Sequence, residues 1–196
     1  MFKSLLWGAF LGGIVVFAWS FVSWTVLPWH TSQMQAFTNE DAVAEVIAKH
    51  MSTAGVYYMP ASPKNYASLS AEERKAADAR MEEKMKAGPT MLGVVLPSQV
   101  MNMPKMMGAS LLFDFLAALL VTMLVMKTGD MTYAGRVSFI VTFALAVGII
   151  AFVPQWIWFG YPTGWTLVMI ADTLICWLLA GLVIAKAAPR PARRMA

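Results

Sequence analysis

The segment SLLWGAFLGGIVVFAWSFVSWTVL, residues 4–27, contains no charged side chain. A helix of about 20 apolar residues crosses the roughly 30 Å hydrocarbon layer of a bilayer. Residues 109–126, 134–153 and 164–185 form three further apolar stretches of similar length. The chain is 59% hydrophobic and only 13% charged, which lies outside the usual range of soluble proteins. We therefore predict an all-α membrane protein in which four transmembrane helices form a bundle.

The first apolar stretch follows Met1-Phe2-Lys3, as the apolar part of a signal peptide would. It is about twice as long as such a region and has no small-x-small cleavage site before Trp29. We therefore expect it to be retained as the first membrane anchor.

Basic residues near the spans predict the orientation of the chain. Lys3, Lys127, Arg136, Lys186 and the arginines of residues 186–196 all fall on one side of a four-span arrangement. Lysine and arginine beside membrane spans prefer the cytoplasmic side. We predict a bacterial inner membrane location with both termini cytoplasmic. The basic tail, residues 186–196, is then placed to contact anionic lipid headgroups, and we expect no nucleic-acid partner.

Residues 28–108, between the first and second spans, are too long and too patterned for a simple loop. Two sequences of the capping-box type, at residues 38–41 and 70–73, each predict the start of a helix, and Gly88-Pro89 ends the second one. Short apolar runs at residues 55–60 and 91–96 each end near a proline and predict strands. We predict a small extracytoplasmic α+β domain inserted between the first two spans.

Two carboxylates inside predicted spans, Asp114 and Asp172, are the strongest candidates for an intramembrane polar site. A carboxylate in hydrocarbon costs several kcal/mol and normally faces the interior of a bundle. Small and polar residues of the first span, Ser20 and Ser23 among them, provide a face that could join them. Two interpretations stay open. In one, the carboxylates meet and share a proton, bind a cation or retain water; in the other, each one is a polar contact that holds helices together.

Methionine is concentrated just before the second span, at Met101, Met103, Met106 and Met107. Thioether sulfur is a soft ligand that suits Cu(I), so Cu(I) is the single cofactor that the sequence suggests. The alternative is that these flexible side chains fill irregular gaps or present an adaptable surface to a partner. His30 and His50 fit no common zinc spacing, and we interpret both as capping or surface residues.

Aromatic residues gather at the outer ends of the predicted spans. The four that form a candidate lipid or ligand site are Trp29, Trp156, Trp158 and Trp165. An interfacial aromatic belt explains such residues, and a headgroup pocket for a lipid or quinone is the sharper alternative.

No motif of a known catalytic type occurs in the chain, which has no phosphate-binding loop, nucleophile elbow or metalloprotease signature. The lone cysteine, Cys176, lies within the fourth span and is expected to be a packing residue. We therefore predict a non-enzymatic accessory protein that binds other membrane or envelope proteins, or itself, through its outer domain. A proton or cation transporter using Asp114 and Asp172 is the first alternative, and a Cu(I)-handling protein is the second.

Overall fold

The computed structural model describes residues 2–51, 53–98 and 101–187. The chain divides into two compact units. The first, called the helical unit, comprises Met1–Gln35 and Met101–Ala196, and the second, called the α/β unit, is Ala36–Val100. The basic residues predicted to contact lipid at positions 190, 193 and 194 lie outside the described residues.

Four long helices make up most of the helical unit. They are α1 (Phe2–Phe21), α4 (Met103–Lys127), α5 (Tyr133–Phe159) and α6 (Thr163–Ala187). Each is long and apolar enough to cross a membrane, α1 together with the helical turn that continues it to Val26. At 1.5 Å per residue, 25 residues extend about 38 Å, more than the roughly 30 Å of a hydrocarbon layer. The prediction of four membrane-spanning helices in a multi-pass protein is confirmed.

Helix α4 begins earlier than the predicted second span, at Met103 rather than at residue 109. The side-chain oxygen of Asn102 accepts a hydrogen bond from the backbone N–H of Lys105, and Pro104 stands in the first turn, where its missing N–H is harmless. The methionines at positions 103, 106 and 107 therefore belong to the first turns of a helix. Their 3- and 4-residue spacing places them on one face.

Helix α5 is longer than the predicted third span because it continues through Pro154 to Phe159. Proline removes one backbone hydrogen bond, yet spans tolerate it where nearby groups satisfy the freed polar atoms. The amide of Gln155 donates to the carbonyl of Ala151 in this turn. The helix ends at Gly160, whose positive φ of 68° suits a residue without a Cβ.

Glycines let α1 approach its neighbours closely. A Cβ on Gly8 would lie 2.9 Å from the hydroxyl oxygen of Thr122, and one on Gly12 would lie 2.8 Å from the end of Ile184. A Cβ on Gly13 would lie 2.9 Å from the backbone Cα of Phe115. Small residues at such spacing are typical of packed transmembrane helices.

The helical unit has one apolar core to which all four helices contribute. Helix α1 packs against α4 and α6, and α5 packs against α6. The buried core residues are Val16, Ala118, Val121, Val125, Ile140, Cys176, Ala180 and Ile184. Cys176 is a free thiol within this core, which agrees with its predicted packing role.

The α/β unit has the predicted order of helix, strand, helix and strand. Its elements are α2 (Glu40–His50), β1 (Gly55–Met59), α3 (Ala71–Ala87) and β2 (Met91–Val95). The strands pair antiparallel, with Val56 opposite Val94 and Tyr58 opposite Leu92. Because side chains alternate between the faces of a strand, these four residues share one face of the sheet.

Helix α3 begins with the predicted capping box. The hydroxyl of Ser70 accepts from the N–H of Glu73, and the carboxylate of Glu73 accepts from the N–H of Ser70. These hydrogen bonds hold the pKa of Glu73 below its ordinary value. Farther along the helix, Asp78 accepts a hydrogen bond from the hydroxyl of Tyr66, which raises the pKa of that phenol.

Candidate functional site

A π-helical turn, Val22–Val26, ends the first span and shapes the candidate site. The N–H of Leu27 bonds the carbonyl of Val22, five residues back, at 3.1 Å. Such turns are rare and occur frequently at functional sites. The extra residue rotates the side chains that follow it. Here the turn carries Ser23, which is completely buried, and the chain then bends so that His30 is completely buried as well.

Asp172 of α6 accepts hydrogen bonds from residues at the end of α1. The indole Nε1–H of Trp19 donates to Oδ1 over 2.6 Å, and the hydroxyl of Ser23 donates to the same oxygen over 2.8 Å. The other oxygen, Oδ2, lies 3.4 Å from Nε2 of His30. The carboxylate is 15% exposed, so these contacts replace most of its solvent. Asp172 therefore joins the end of the first span to the fourth.

The hydrogen bonds of Ser23 determine which ring nitrogen of His30 carries a proton. Ser23 uses its one O–H on Asp172 and accepts from Nε1–H of Trp29 over 3.1 Å. Its oxygen also lies 3.0 Å from Nε2 of His30, which must then be the donor. The second ring nitrogen, Nδ1, is buried and has no hydrogen-bond partner within the described residues. It is the one open position of this network.

Three tryptophans surround the imidazole of His30. The ring of Trp24 stacks on it with 3.9 Å between centroids and 3° between planes. Trp29 and Trp165 meet it edge to face at 5.5 Å and 6.3 Å. These ring contacts cover the imidazole, which is completely buried, and they exclude water from it.

The arrangement of Ser23, His30 and Asp172 differs from that of a Ser-His-Asp triad. In a triad the serine and the carboxylate bind opposite nitrogens of the histidine, so that a proton can pass from the serine through the ring. Here both Ser23 and Asp172 face Nε2. The geometry suits holding or exchanging a proton better than activating a nucleophile.

The structure brings together two of the four residues predicted to form the intramembrane site, Ser23 and Asp172. Asp114 is partly exposed on α4 and has no hydrogen bond or ion pair to Asp172 among the described residues. Ser20 is likewise partly exposed and does not bond Asp172. The network therefore lies between α1 and α6.

The interpretation of His30 as a capping or surface residue was wrong, because its side chain is fully buried and makes no capping hydrogen bond. Its position after the end of the first span suggested exposure, and the bend that returns it to the spans has no sequence signature. The sequence does contain one regular feature that is linked to this network. Trp19, Trp24 and Trp29 recur at five-residue intervals and all contact this network or its histidine. Trp19 was the partner that sequence reasoning missed.

Two of the four tryptophans predicted to form a lipid or ligand site, Trp29 and Trp165, contact His30. Trp156 instead donates to the hydroxyl of Thr163 over 3.1 Å, and Trp158 is 78% exposed at the end of α5. A lipid or quinone site at these residues stays a prediction.

The methionines of the predicted Cu(I) site are all exposed on the protein. Their exposed fractions are Met101 62%, Met103 54%, Met106 41% and Met107 42%. No group of three or more histidine, cysteine or acidic side chains that could hold a metal occurs in the part of the chain that the structure describes. Cu(I) binding by the thioethers stays a prediction.

Comparison of the chain with protein-family models, with curated proteins and with solved structures gave no match.

Proposed function

We propose that this chain is a non-enzymatic accessory protein of a bacterial inner membrane that binds or stabilises another membrane or envelope protein through its α/β unit. In this proposal the unit is extracytoplasmic and both termini are cytoplasmic. The orientation is supported by Lys3 at the start of α1 and by Lys127 and Lys186 at the ends of α4 and α6. A chain that crosses the membrane at each helix has these three ends on one side, where lysine is favoured.

The observation that carries the proposal is the exposed apolar face of the two-stranded sheet. Val56 and Val94, directly opposite each other, are 68% and 71% exposed, and Tyr58 beside them is 52% exposed. No described side chain of the α/β unit is fully buried. An isolated two-stranded sheet is marginally stable in water, and a chain of this size needs a core. A partner that covers this face would supply the missing burial.

A photo-crosslinking side chain placed at Val94 tests this proposal in living cells. We expect one discrete adduct with a second protein, because the partner must contact the sheet face. The matched control is the same side chain at Val46 of α2, which is 62% exposed but lies off the sheet. An adduct of twice the chain's own mass would identify self-association. Diffuse or absent adducts at Val94, or equal adducts at both positions, would contradict the assignment of this face.

The buried contact between His30 and Asp172 favours a second candidate function, the movement of protons or small cations. A histidine beside a carboxylate within a span is typical of proton relays, and Nδ1 of His30 is open to a further proton. This candidate replaces Asp114 with His30 as the partner of Asp172. It does not depend on the α/β unit.

Proton flux into vesicles containing the purified chain tests the second candidate. We expect His30→Gln and Asp172→Asn each to remove most of the flux, because each breaks the path at one of its two exchanging groups. Ser20→Ala is the control, since Ser20 lies on the same helix but outside the network. If all three variants carry the same flux as the unaltered chain, the candidate is eliminated. Loss of flux in Ser20→Ala as well would indicate general damage to packing.

A further inference from the structure

Two apolar grooves open on either side of the first turns of α1. One, of about 570 Å³, lies between α1 and α4 and is lined by residues that include Leu6, Phe10 and Leu116. The other, of about 610 Å³, lies between α1 and α6, where Leu11 and Val183 are among its lining residues. Both volumes fall in the range of about 300–1,000 Å³ that small-molecule sites occupy. The grooves share two residues, Lys3 and Trp7.

The charge at these grooves has one sign. Lys3 borders both of them, and Lys186 of α6 borders the second. Both lysines are exposed, and no acidic residue is among the described residues that line either groove. Basic pockets between spans on the cytoplasmic side bind acidic lipid headgroups. The ligand that fits is therefore anionic at the lysines and apolar below them.

Packed aromatic rings line the groove between α1 and α4, and one of them, Trp7, also borders the second groove. Phe10 of α1 stacks on Phe115 of α4 with 5.8 Å between centroids and 6° between planes. Trp7 meets Phe10 edge to face at 6.0 Å and lies between the two grooves. Such contacts hold large side chains in fixed positions, so the grooves have a defined shape before a ligand binds.

We propose that Lys3 and Lys186 bind the phosphate of an anionic diacyl phospholipid whose two acyl chains lie in the two grooves, one on each side of α1. The shared position of Lys3 carries the inference, because a diacyl lipid also has one charged group above two separate chains. A lipid with a single chain would fill one groove and leave the other to bulk lipid. The inference is independent of the partner proposed for the α/β unit.

Native mass spectrometry of the full chain titrated with phosphatidylglycerol and phosphatidylcholine tests this site. We expect tighter binding of phosphatidylglycerol, with a loss of about fivefold for each of Lys3→Ala and Lys186→Ala, because each lysine contributes separately. Lys3→Arg should retain the preference. Lys105→Ala is the matched control. It removes the same charge from the start of α4, at the end of the spans opposite to Lys3 and Lys186.

Several outcomes would overturn the proposal. They are an unchanged preference for phosphatidylglycerol in the Lys3→Ala, Lys186→Ala double variant, an equal loss in Lys105→Ala, and equal binding of the two diacyl lipids. Lysophosphatidylglycerol, with one acyl chain, should bind more weakly than the diacyl lipid, and equal binding would refute the two-groove assignment. Glycerol phosphate should not compete, because it lacks the chains. A photo-crosslinked adduct at Val94 that persists in the double variant would show that the partner contact proposed for the α/β unit is intact. A failure of the lipid site is then distinguished from a failure of the proposed partner function.

Discussion

Replacing Gly13 with alanine is expected to lower the free energy of unfolding by about 1–3 kcal/mol, as an overpacked core does. The new Cβ would lie 2.9 Å from the backbone Cα of Phe115 and closer still to its ring. A flexible side chain could turn away from the methyl group, but a backbone atom moves only with its helix. The close packing of α1 against α4 must therefore open.

The control for this substitution is Gly108→Ala, in which the same change is made in α4. A Cβ on Gly108 would meet nothing within 4 Å. Alanine favours a helix over glycine by about 1 kcal/mol, so this variant should be unchanged or slightly more stable. Thermal unfolding of both proteins in the same detergent gives the comparison. Equal midpoints for Gly13→Ala and Gly108→Ala would show that the two helices do not approach as closely as described.

Replacing Asp172 with alanine should destabilise the helical unit by about 3 kcal/mol, since buried donors that lose their acceptor cost about 1–3 kcal/mol each. Trp19, Ser23 and His30 all approach this carboxylate. Asp172→Asn should cost less. Its remaining oxygen can still accept from Trp19 and Ser23, although its amide then faces Nε2–H of His30 and requires the other histidine tautomer.

The control for Asp172 is Asp114→Ala. It removes the other intramembrane carboxylate, for which the described residues show no hydrogen-bond partner. We expect little loss, or a gain, because a carboxylate without partners is costly in an apolar span. We expect the unfolding midpoint in detergent to be highest for Asp114→Ala, lower for Asp172→Asn and lowest for Asp172→Ala. An equal effect of the two alanine variants would mean that the network around Asp172 does not stabilise the fold.

The sequence predicts the spans and the elements of the α/β unit because both depend on local patterns. Long apolar stretches determine the four spans. Ser70 caps α3 as its capping box predicts, and α2 is capped by Asn39, one residue after Thr38, the first residue of the predicted box. The ends of spans are harder to predict. Helix α5 continues through Pro154 because membrane helices tolerate proline, which a rule drawn from soluble helices does not anticipate.

The candidate site could be predicted only in part, since it depends on rotation about the helix axis. The sequence predicts comparable depths for Asp114 and Asp172 within their membrane spans, but depth does not determine which neighbour each residue faces. The π-helical turn around Ser23 changes that rotation and is not visible in the sequence. His30 follows the span in the chain and still returns to Asp172, a contact between residues far apart in sequence that no local pattern specifies.

Labelling with a membrane-impermeant maleimide in intact cells tests the proposed topology, in which the chain crosses the membrane four times and the α/β unit lies on the side opposite the start of α1 and the end of α6. Cys176 is the only cysteine and is buried, so Cys176→Ala provides a background without reactive thiols. Lys75→Cys in α3 and Asp130→Cys between α4 and α5 are then compared. We expect labelling of Lys75→Cys in intact cells and of Asp130→Cys only after the membrane is permeabilised. Labelling of both before permeabilisation, or of Asp130→Cys alone, would contradict this topology.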